Sequence, residues 1–136
     1  MAVMGKVGIV MAFITSFIHV TLAISGHATS YKGTVFPSSC NNTKVSQANN
    51  LVAAVSTSMF RDGYSCGIRY YVICVSAEPK IRYPCGDARE SVIVTVVDVC
   101  QSCHGFDILL SKEAFSKIAA PNAEEIFIDY SRSSTN

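Results

Sequence analysis

The stretch SVIVTVVDVCQSCHGFDILLSKEAF, from Ser91 to Phe115, decides the fold of this chain. Its first part, Val92–Val97, is almost entirely β-branched, which is typical of a largely buried strand. The strand ends at Asp98. A carboxylate buried there must be hydrogen-bonded, because an unpaired buried charge is very costly. Two cysteines and a second aspartate, Asp107, follow, and the rest of the chain is interpreted as a scaffold for this segment.

The same stretch predicts a short amphipathic helix at its end. Ser111 is a favourable N-cap, and Glu113 lies in the first turn, where the helix dipole favours a negative charge. Pro121 ends the helix. The apolar residues that share one face are Ala114, Phe115, Ile118 and Ala119.

The N-terminal residues have the layout of a secretory signal peptide. Lys6 precedes an apolar run, Val7–Ile24, and small residues follow the run. We predict cleavage at about Ser25, which divides the chain into a signal peptide, residues 1–25, and one domain, residues 26–136. A membrane anchor is the alternative, since the run is just long enough to span a bilayer. No second run of that length follows, so a soluble, secreted protein is expected.

Charge and cysteine content limit the partners. Eleven basic and ten acidic residues give a net charge of +1, so we predict no basic surface for nucleic acid or anionic lipid. Six cysteines in a short secreted chain predict three disulfides, but the even count does not choose among the pairings. We expect a monomer without a cofactor.

Short strands separated by turns rich in Gly and Pro make up most of the domain. Six strands with one packed helix predict a mainly β protein, a small closed barrel. One helical turn is predicted over Ser56–Phe60. The predicted strands are Gly26–Tyr31, Leu51–Val55, Ile68–Val75, Ser91–Asp98, Phe106–Leu110 and Glu125–Tyr130.

The triplet Asn41-Asn42-Thr43 is an N-glycosylation sequon. Glycosylation would place Asn41 on the surface. Such triplets also occur by chance, so an unmodified Asn41 is the alternative.

Five sequence blocks, in order, resemble the expansin-like domain family. They are most similar to plant natriuretic peptide-like proteins, which are single-domain, secreted relatives of expansins and of family-45 endoglucanases. The resemblance implies a six-stranded double-psi β-barrel with one short packed helix. The blocks are His27–Tyr31, Ala54–Gly63, Cys66–Cys74, Val94–Cys100 and Phe106–Ala119.

The resemblance implies a polysaccharide groove with four candidate residues, Thr29, Tyr31, Asp98 and Asp107. Asp107 falls at the family's catalytic-acid position. Glycoside hydrolysis normally needs two carboxylates, but Thr29-Ser30-Tyr31 on the first strand carries none. We therefore predict a non-enzymatic protein with no catalytic residues. The alternative is a lytic transglycosylase type of cleavage by one aspartate. Structural roles are the other interpretation of both aspartates: acceptor of loop N–H groups for Asp98, turn or cap for Asp107.

The segment Cys100-Gln101-Ser102-Cys103 has three interpretations: a redox motif, part of a zinc site, or a structural disulfide. Zinc would need two more ligands, and only His27 and His104 remain if the other cysteines are paired. The resemblance implies the structural bridge and no metal. The implied pairs are Cys40–Cys66, Cys74–Cys85 and Cys100–Cys103.

Three tyrosines, Tyr31, Tyr64 and Tyr83, are candidates for stacking on sugar rings, with covering a barrel mouth as the alternative role. The chain contains no Trp, which weakens the case for carbohydrate.

Two functions from different classes follow from the resemblance. The first is a secreted, non-enzymatic apoplastic protein that acts in water and solute homeostasis through a cell-surface receptor. Its activity would lie in the segment Phe36–Cys66. The alternative is a cell-wall polysaccharide-binding or weak wall-loosening module that uses the groove around Asp98 and Asp107.

Overall fold

The computed structural model describes residues 22–31, 39–40, 50–75, 84–86, 90–101 and 103–133. Residues 1–21 of the predicted signal peptide, the sequon at Asn41 and the tyrosine at position 83 lie outside these ranges. Within them, no helix is long and apolar enough to cross a bilayer.

Six strands and two short helices form the described structure. The first helix, α1, is the helical turn predicted after the second strand, and the second, α2, is the predicted packed helix. A 3₁₀ turn, Arg61–Gly63, continues it. The strands are β1 (Ile24–Ser30), β2 (Val52–Ser56), β3 (Arg69–Val75), β4 (Ser91–Cys100), β5 (Ile108–Leu110) and β6 (Glu125–Arg132); the helices are α1 (Thr57–Phe60) and α2 (Lys112–Ile118).

The strands close into a barrel in the order β1-β5-β2-β4-β3-β6. Strands β1 and β5 pair in parallel, as do β2 and β4. The other pairs are antiparallel. Parallel neighbours need crossover connections rather than hairpins, so most consecutive strands are separated in the ring, and β3 and β4 are consecutive strands that pair directly. The predicted class, a mainly β, six-stranded double-psi barrel, is confirmed.

Alternation along β4 fills the barrel interior, because successive side chains of a strand point to opposite faces. Val92, Val94 and Val96 are buried in the core. A bulge then interrupts the pairing with β2: Ala53 pairs with Val96, but Ala54 pairs with Asp98. Since Ala53 belongs to the core and Ala54 does not, the bulge places Asp98 on the outer face of the barrel.

Helix α2 begins as predicted at Ser111, whose Oγ accepts a hydrogen bond from the Ala114 N–H at 3.3 Å. The Ser111 hydroxyl also donates to the Asn50 carbonyl at 2.6 Å. Ser111 therefore joins the helix start to the residues that precede β2.

All six cysteines are paired, as Cys40–Cys66, Cys74–Cys85 and Cys100–Cys103, which are the pairs that the resemblance implies. The first bridge attaches the segment before β2 to the segment before β3. Disulfides of this density are typical of proteins in an oxidising compartment.

Strand β1 begins at Ile24, which pairs with Tyr130, and the Ser25 hydroxyl donates to Asp129 at 2.8 Å. Cleavage at about Ser25 would therefore remove the first residues of this strand. The signal peptide itself stays a prediction.

Candidate functional site

Asp98 is the most extensively bonded side chain among the described residues, and its carboxylate accepts four hydrogen bonds. The Tyr31 hydroxyl donates to Oδ2 at 2.7 Å. Oδ1 accepts from the Ser39 N–H at 3.1 Å, the Ser39 hydroxyl at 2.8 Å and the Val99 N–H at 2.9 Å. Asp98 is only 8% exposed, so these donors replace the water that the charge has lost.

The four donors decide the charge of Asp98. Burial by itself raises the pKa of Asp98, but the hydrogen bonds from Tyr31, Ser39 and Val99 together outweigh burial and lower the pKa below its ordinary value. Burial and the hydrogen bond to Asp98 raise the pKa of Tyr31 to about 12. At neutral pH, Asp98 is an anion and Tyr31 is a neutral donor.

Asp98 attaches Ser39 and Cys40 to the outer face of the barrel. Ser39, which supplies two of its donors, precedes Cys40. The Cys40 N–H donates to the Val97 carbonyl at 3.0 Å, and its sulfur is bonded to Cys66. The carboxylate, the backbone and the disulfide thus hold residues 39–40 against β4.

Asp107 occupies a different environment at the start of β5. Its Oδ2 accepts a hydrogen bond from the His27 N–H at 2.9 Å, and its own N–H donates to the His27 carbonyl at 3.0 Å. A Cβ on Gly26 would lie 2.8 Å from Asp107 Oδ2, so the carboxylate occupies the space that the missing side chain leaves. Burial and the charge of Asp107 raise the pKa of Tyr130.

An open cavity of about 750 Å³ lies on the outer face beside β1 and β5. The Thr29 hydroxyl, in its wall, donates to the Glu124 carbonyl at 2.6 Å and fixes the turn before β6. Cavities of this size are typical of small-ligand sites. The described residues that line it are Thr29, Ser30, Tyr31, Cys103, His104, Phe106, Leu109, Lys112, Ala123, Glu124 and Glu125.

Two of the four groove candidates are described lining residues of the cavity, and two are not. Thr29 and Tyr31 line the cavity, and Asp98 lies one hydrogen bond behind Tyr31. Neither aspartate is among the described lining residues, and Asp98 and Asp107 share no hydrogen-bond partner within the described part of the chain. A groove role for either aspartate stays a prediction.

Sequence reasoning missed several residues of this site. Ser39 had no signal beyond its place next to a cysteine. Glu125 was interpreted only as the start of a strand, and Glu124 received no interpretation. The register explains Glu125, since it pairs with Thr29 across β1 and β6. That pairing is not visible in a single sequence.

Of the two described histidines, His104 lines the cavity, whereas His27 is not among its described lining residues. His27 packs against Phe127 with ring centroids 4.3 Å apart and ring planes tilted by 57°. Tyr64 is 72% exposed and lies outside the cavity lining. Within the described ranges, no three His, Cys, Asp or Glu residues form a group suited to a metal ion.

The ring of six strands and its outer cavity define a double-psi β-barrel protein of the expansin-like class, and comparison with known families agrees. The family model described as lytic transglycolase matches residues 52–130. An EG45-like domain containing protein of Citrus jambhiri is 35% identical over 111 residues, covering 81% of this chain and 82% of the relative. The putative EG45-like domain containing protein 1 of Arabidopsis thaliana is 34% identical over 125 residues, covering 89% and 90%. The chain belongs to the EG45-like family of double-psi β-barrel proteins.

Solved structures show the same barrel. The apo form of the Clavibacter michiganensis expansin superposes with a TM-score of 0.62 at 27% identity, over 85% of this chain. This chain spans about half of that expansin, 52% of its length. A point mutant of the same expansin, in complex with cellohexaose, superposes with a TM-score of 0.57 at 24% identity and shows the likeness of fold.

Proposed function

We propose that this protein is a secreted, non-enzymatic extracellular protein that binds cell-wall saccharide in its outer-face cavity. The observation on which this depends is the cavity itself, with Tyr31 in its wall held by the buried carboxylate of Asp98. A ring whose hydroxyl is fixed loses little conformational entropy when a sugar packs on it. Phe106 and Leu109 add apolar surface, and the Thr29 and glutamate oxygens supply polar partners.

The environments of Asp98 and Asp107, the two aspartates that the resemblance places in the groove, support binding without cleavage. A general acid must be protonated when it acts, whereas the hydrogen bonds to Asp98 hold its pKa below the ordinary value, after burial is taken into account. The carboxylate of Asp107 is bonded to the His27 N–H at the start of β5. No carboxylate comes from Thr29-Ser30-Tyr31, where the hydrolase relatives supply one.

The test is a titration of the oxidised full chain, expressed through a secretory route, with cellohexaose, the saccharide in the complex of the expansin mutant. We expect saturable binding by calorimetry and no release of reducing ends. Replacing Phe106→Ala or Tyr31→Ala should weaken binding at least about tenfold, since fully burying an apolar side chain of the size of Phe typically contributes about 1.5–3 kcal/mol.

Two control variants make the result specific to the cavity. Tyr64→Ala removes an exposed ring outside it and should leave binding unchanged. Asp107→Asn should also leave binding unchanged, because its carboxylate faces Gly26 rather than the cavity. Absence of saturable binding, or equal loss in the Tyr64 variant, would contradict the proposal.

The second candidate is signalling in water and solute homeostasis through a cell-surface receptor. It is favoured by the Cys40–Cys66 bridge, which closes the segment to which the resemblance assigns that activity. Residues 41–49 of this segment lie outside the described ranges. Protoplast swelling caused equally by the native chain and by Phe106→Ala would support signalling independent of the cavity, and no swelling by either would count against it.

A further inference from the structure

The described lining of the cavity contains more acidic than basic side chains. Among the described lining residues, Glu124 and Glu125 contribute carboxylates and Lys112 contributes the one ammonium group. The hydrogen bond from Thr29 to the Glu124 carbonyl fixes the backbone that bears both glutamates. Glu125 pairs directly with Thr29, so its side chain stands on the same outer face.

A third negative charge lies behind the cavity wall. The Asp98 carboxylate is 2.7 Å from the Tyr31 hydroxyl, and Tyr31 lines the cavity. Its four donors are neutral groups, so they stabilise the charge without cancelling it. One ammonium group can balance one carboxylate, so the described residues in and behind the cavity wall carry an excess of negative charge.

This excess affects charged and neutral saccharides differently. Two like charges about 7 Å apart disfavour binding by about threefold for each pair when water screens them as in bulk solvent, and by more where the protein surface lowers the effective dielectric constant; salt weakens the effect. A neutral hexose carries no charge, so the carboxylates do not repel it. Its hydroxyl groups donate hydrogen bonds to carboxylate oxygens. An unesterified uronic acid brings its own carboxylate into the same space.

We infer that the cavity selects saccharides by charge, accepting neutral hexose oligomers and discriminating against oligomers that bear free uronic carboxylates. This inference rests on the proposed saccharide binding and names the class of saccharide. Esterification of a uronic acid, which removes its charge, should restore binding.

The experiment compares three oligomers with one backbone: cellohexaose, cellohexaose oxidised to carboxylates at C6, and the methyl ester of the oxidised form. Calorimetry on the oxidised full chain, at low salt and about pH 7.5 where uronic acids are ionised, should give an affinity at least about tenfold lower for the free acid. The ester should return to within about threefold of cellohexaose, and added salt should narrow the gap.

Charge variants locate the effect. Glu125→Gln should raise the affinity for the oxidised oligomer about threefold and leave that for cellohexaose unchanged, and Lys112→Gln should lower the affinity for the oxidised oligomer. Glu90→Gln removes an exposed carboxylate outside the cavity lining and should change neither affinity.

The outcomes separate the two proposals. Equal affinities for the three oligomers, a free acid that binds best, or an ester as weak as the free acid would overturn charge selection while leaving cellohexaose binding intact. An equal response to Glu90→Gln would overturn the assignment to this cavity. No binding of cellohexaose would overturn the proposed function itself.

Discussion

Asp98 and Asp107 lie only nine positions apart in the sequence numbering, yet the barrel gives them opposite environments. Asp98 ends a long strand, is 8% exposed and accepts four hydrogen bonds. Asp107 begins a short strand, is half-buried and accepts one hydrogen bond from a described residue, through the His27 N–H. The number of donors around a carboxylate, and not its place in a motif, decides how much that carboxylate stabilises the fold.

The largest expected difference between the two regions is in stability. Asp98→Asn keeps the shape of the side chain but removes the charge that four donors stabilise, so we expect the free energy of unfolding to fall by about 2–3 kcal/mol. Asp107→Asn, the matched control, should cost less than about 1 kcal/mol. Urea unfolding with the disulfides intact measures both. Equal losses would mean that the two carboxylates contribute alike.

The next largest expected effect on stability comes from removing the hydroxyl of Tyr31, compared with removing that of Tyr130. Tyr31 donates to the Asp98 carboxylate, whereas the one partner of the Tyr130 hydroxyl among the described residues is the Met59 sulfur, at 3.7 Å. Tyr31→Phe should lower the free energy of unfolding by about 1–2 kcal/mol, and Tyr130→Phe by less than about 0.5 kcal/mol. A larger loss for Tyr130→Phe in the same urea experiment would reverse the comparison.

Lowering the pH should reveal how much the charge of Asp98 contributes to the stability of the fold. The pKa of Asp98 is lowered in the folded protein, since the hydrogen bonds outweigh burial. Its contribution to stability is therefore present above the unfolded pKa of about 3.9 and is lost as pH falls through the lower folded pKa. The stability gap between the native chain and Asp98→Asn should narrow below about pH 4. A gap that stays constant down to about pH 2 would show that the charge is not responsible.

Alkaline titration gives the smallest effect and reports on Tyr31 alone. Burial and the neighbouring Asp98 raise the pKa of Tyr31 to about 12, so its stabilising contribution is present below the unfolded pKa of about 10 and is lost as pH rises through about 12. Absorbance of tyrosinate should show a late-ionising tyrosine that disappears in Tyr31→Phe. Its persistence in that variant would assign the late phase to another residue, such as Tyr130.

The candidate site was only partly predictable from the sequence. Thr29 and Tyr31 were named through a family resemblance, and both line the cavity. Ser39, Glu124 and Glu125 were not named, because their contacts come from residues distant in sequence. Ser39 reaches Asp98 across 59 positions and Thr29 reaches the Glu124 carbonyl across 95, and local patterns carry no information on such contacts.

The sequence by itself determined the elements of the barrel. β-branched runs specified the strands, Ser111 specified the start of α2, and an even count of cysteines predicted disulfides. These features depend on neighbours within a few residues, where backbone preference and side-chain alternation act.

Only the tertiary structure decided the direction of Asp98. Simple alternation after Val92, Val94 and Val96 would send its carboxylate into the core. The bulge opposite Ala53 and Ala54 turns it outward, to the donors of Tyr31 and Ser39. A one-residue shift in pairing reverses every side chain beyond it, and the partner strand, not the local sequence, determines where that shift falls.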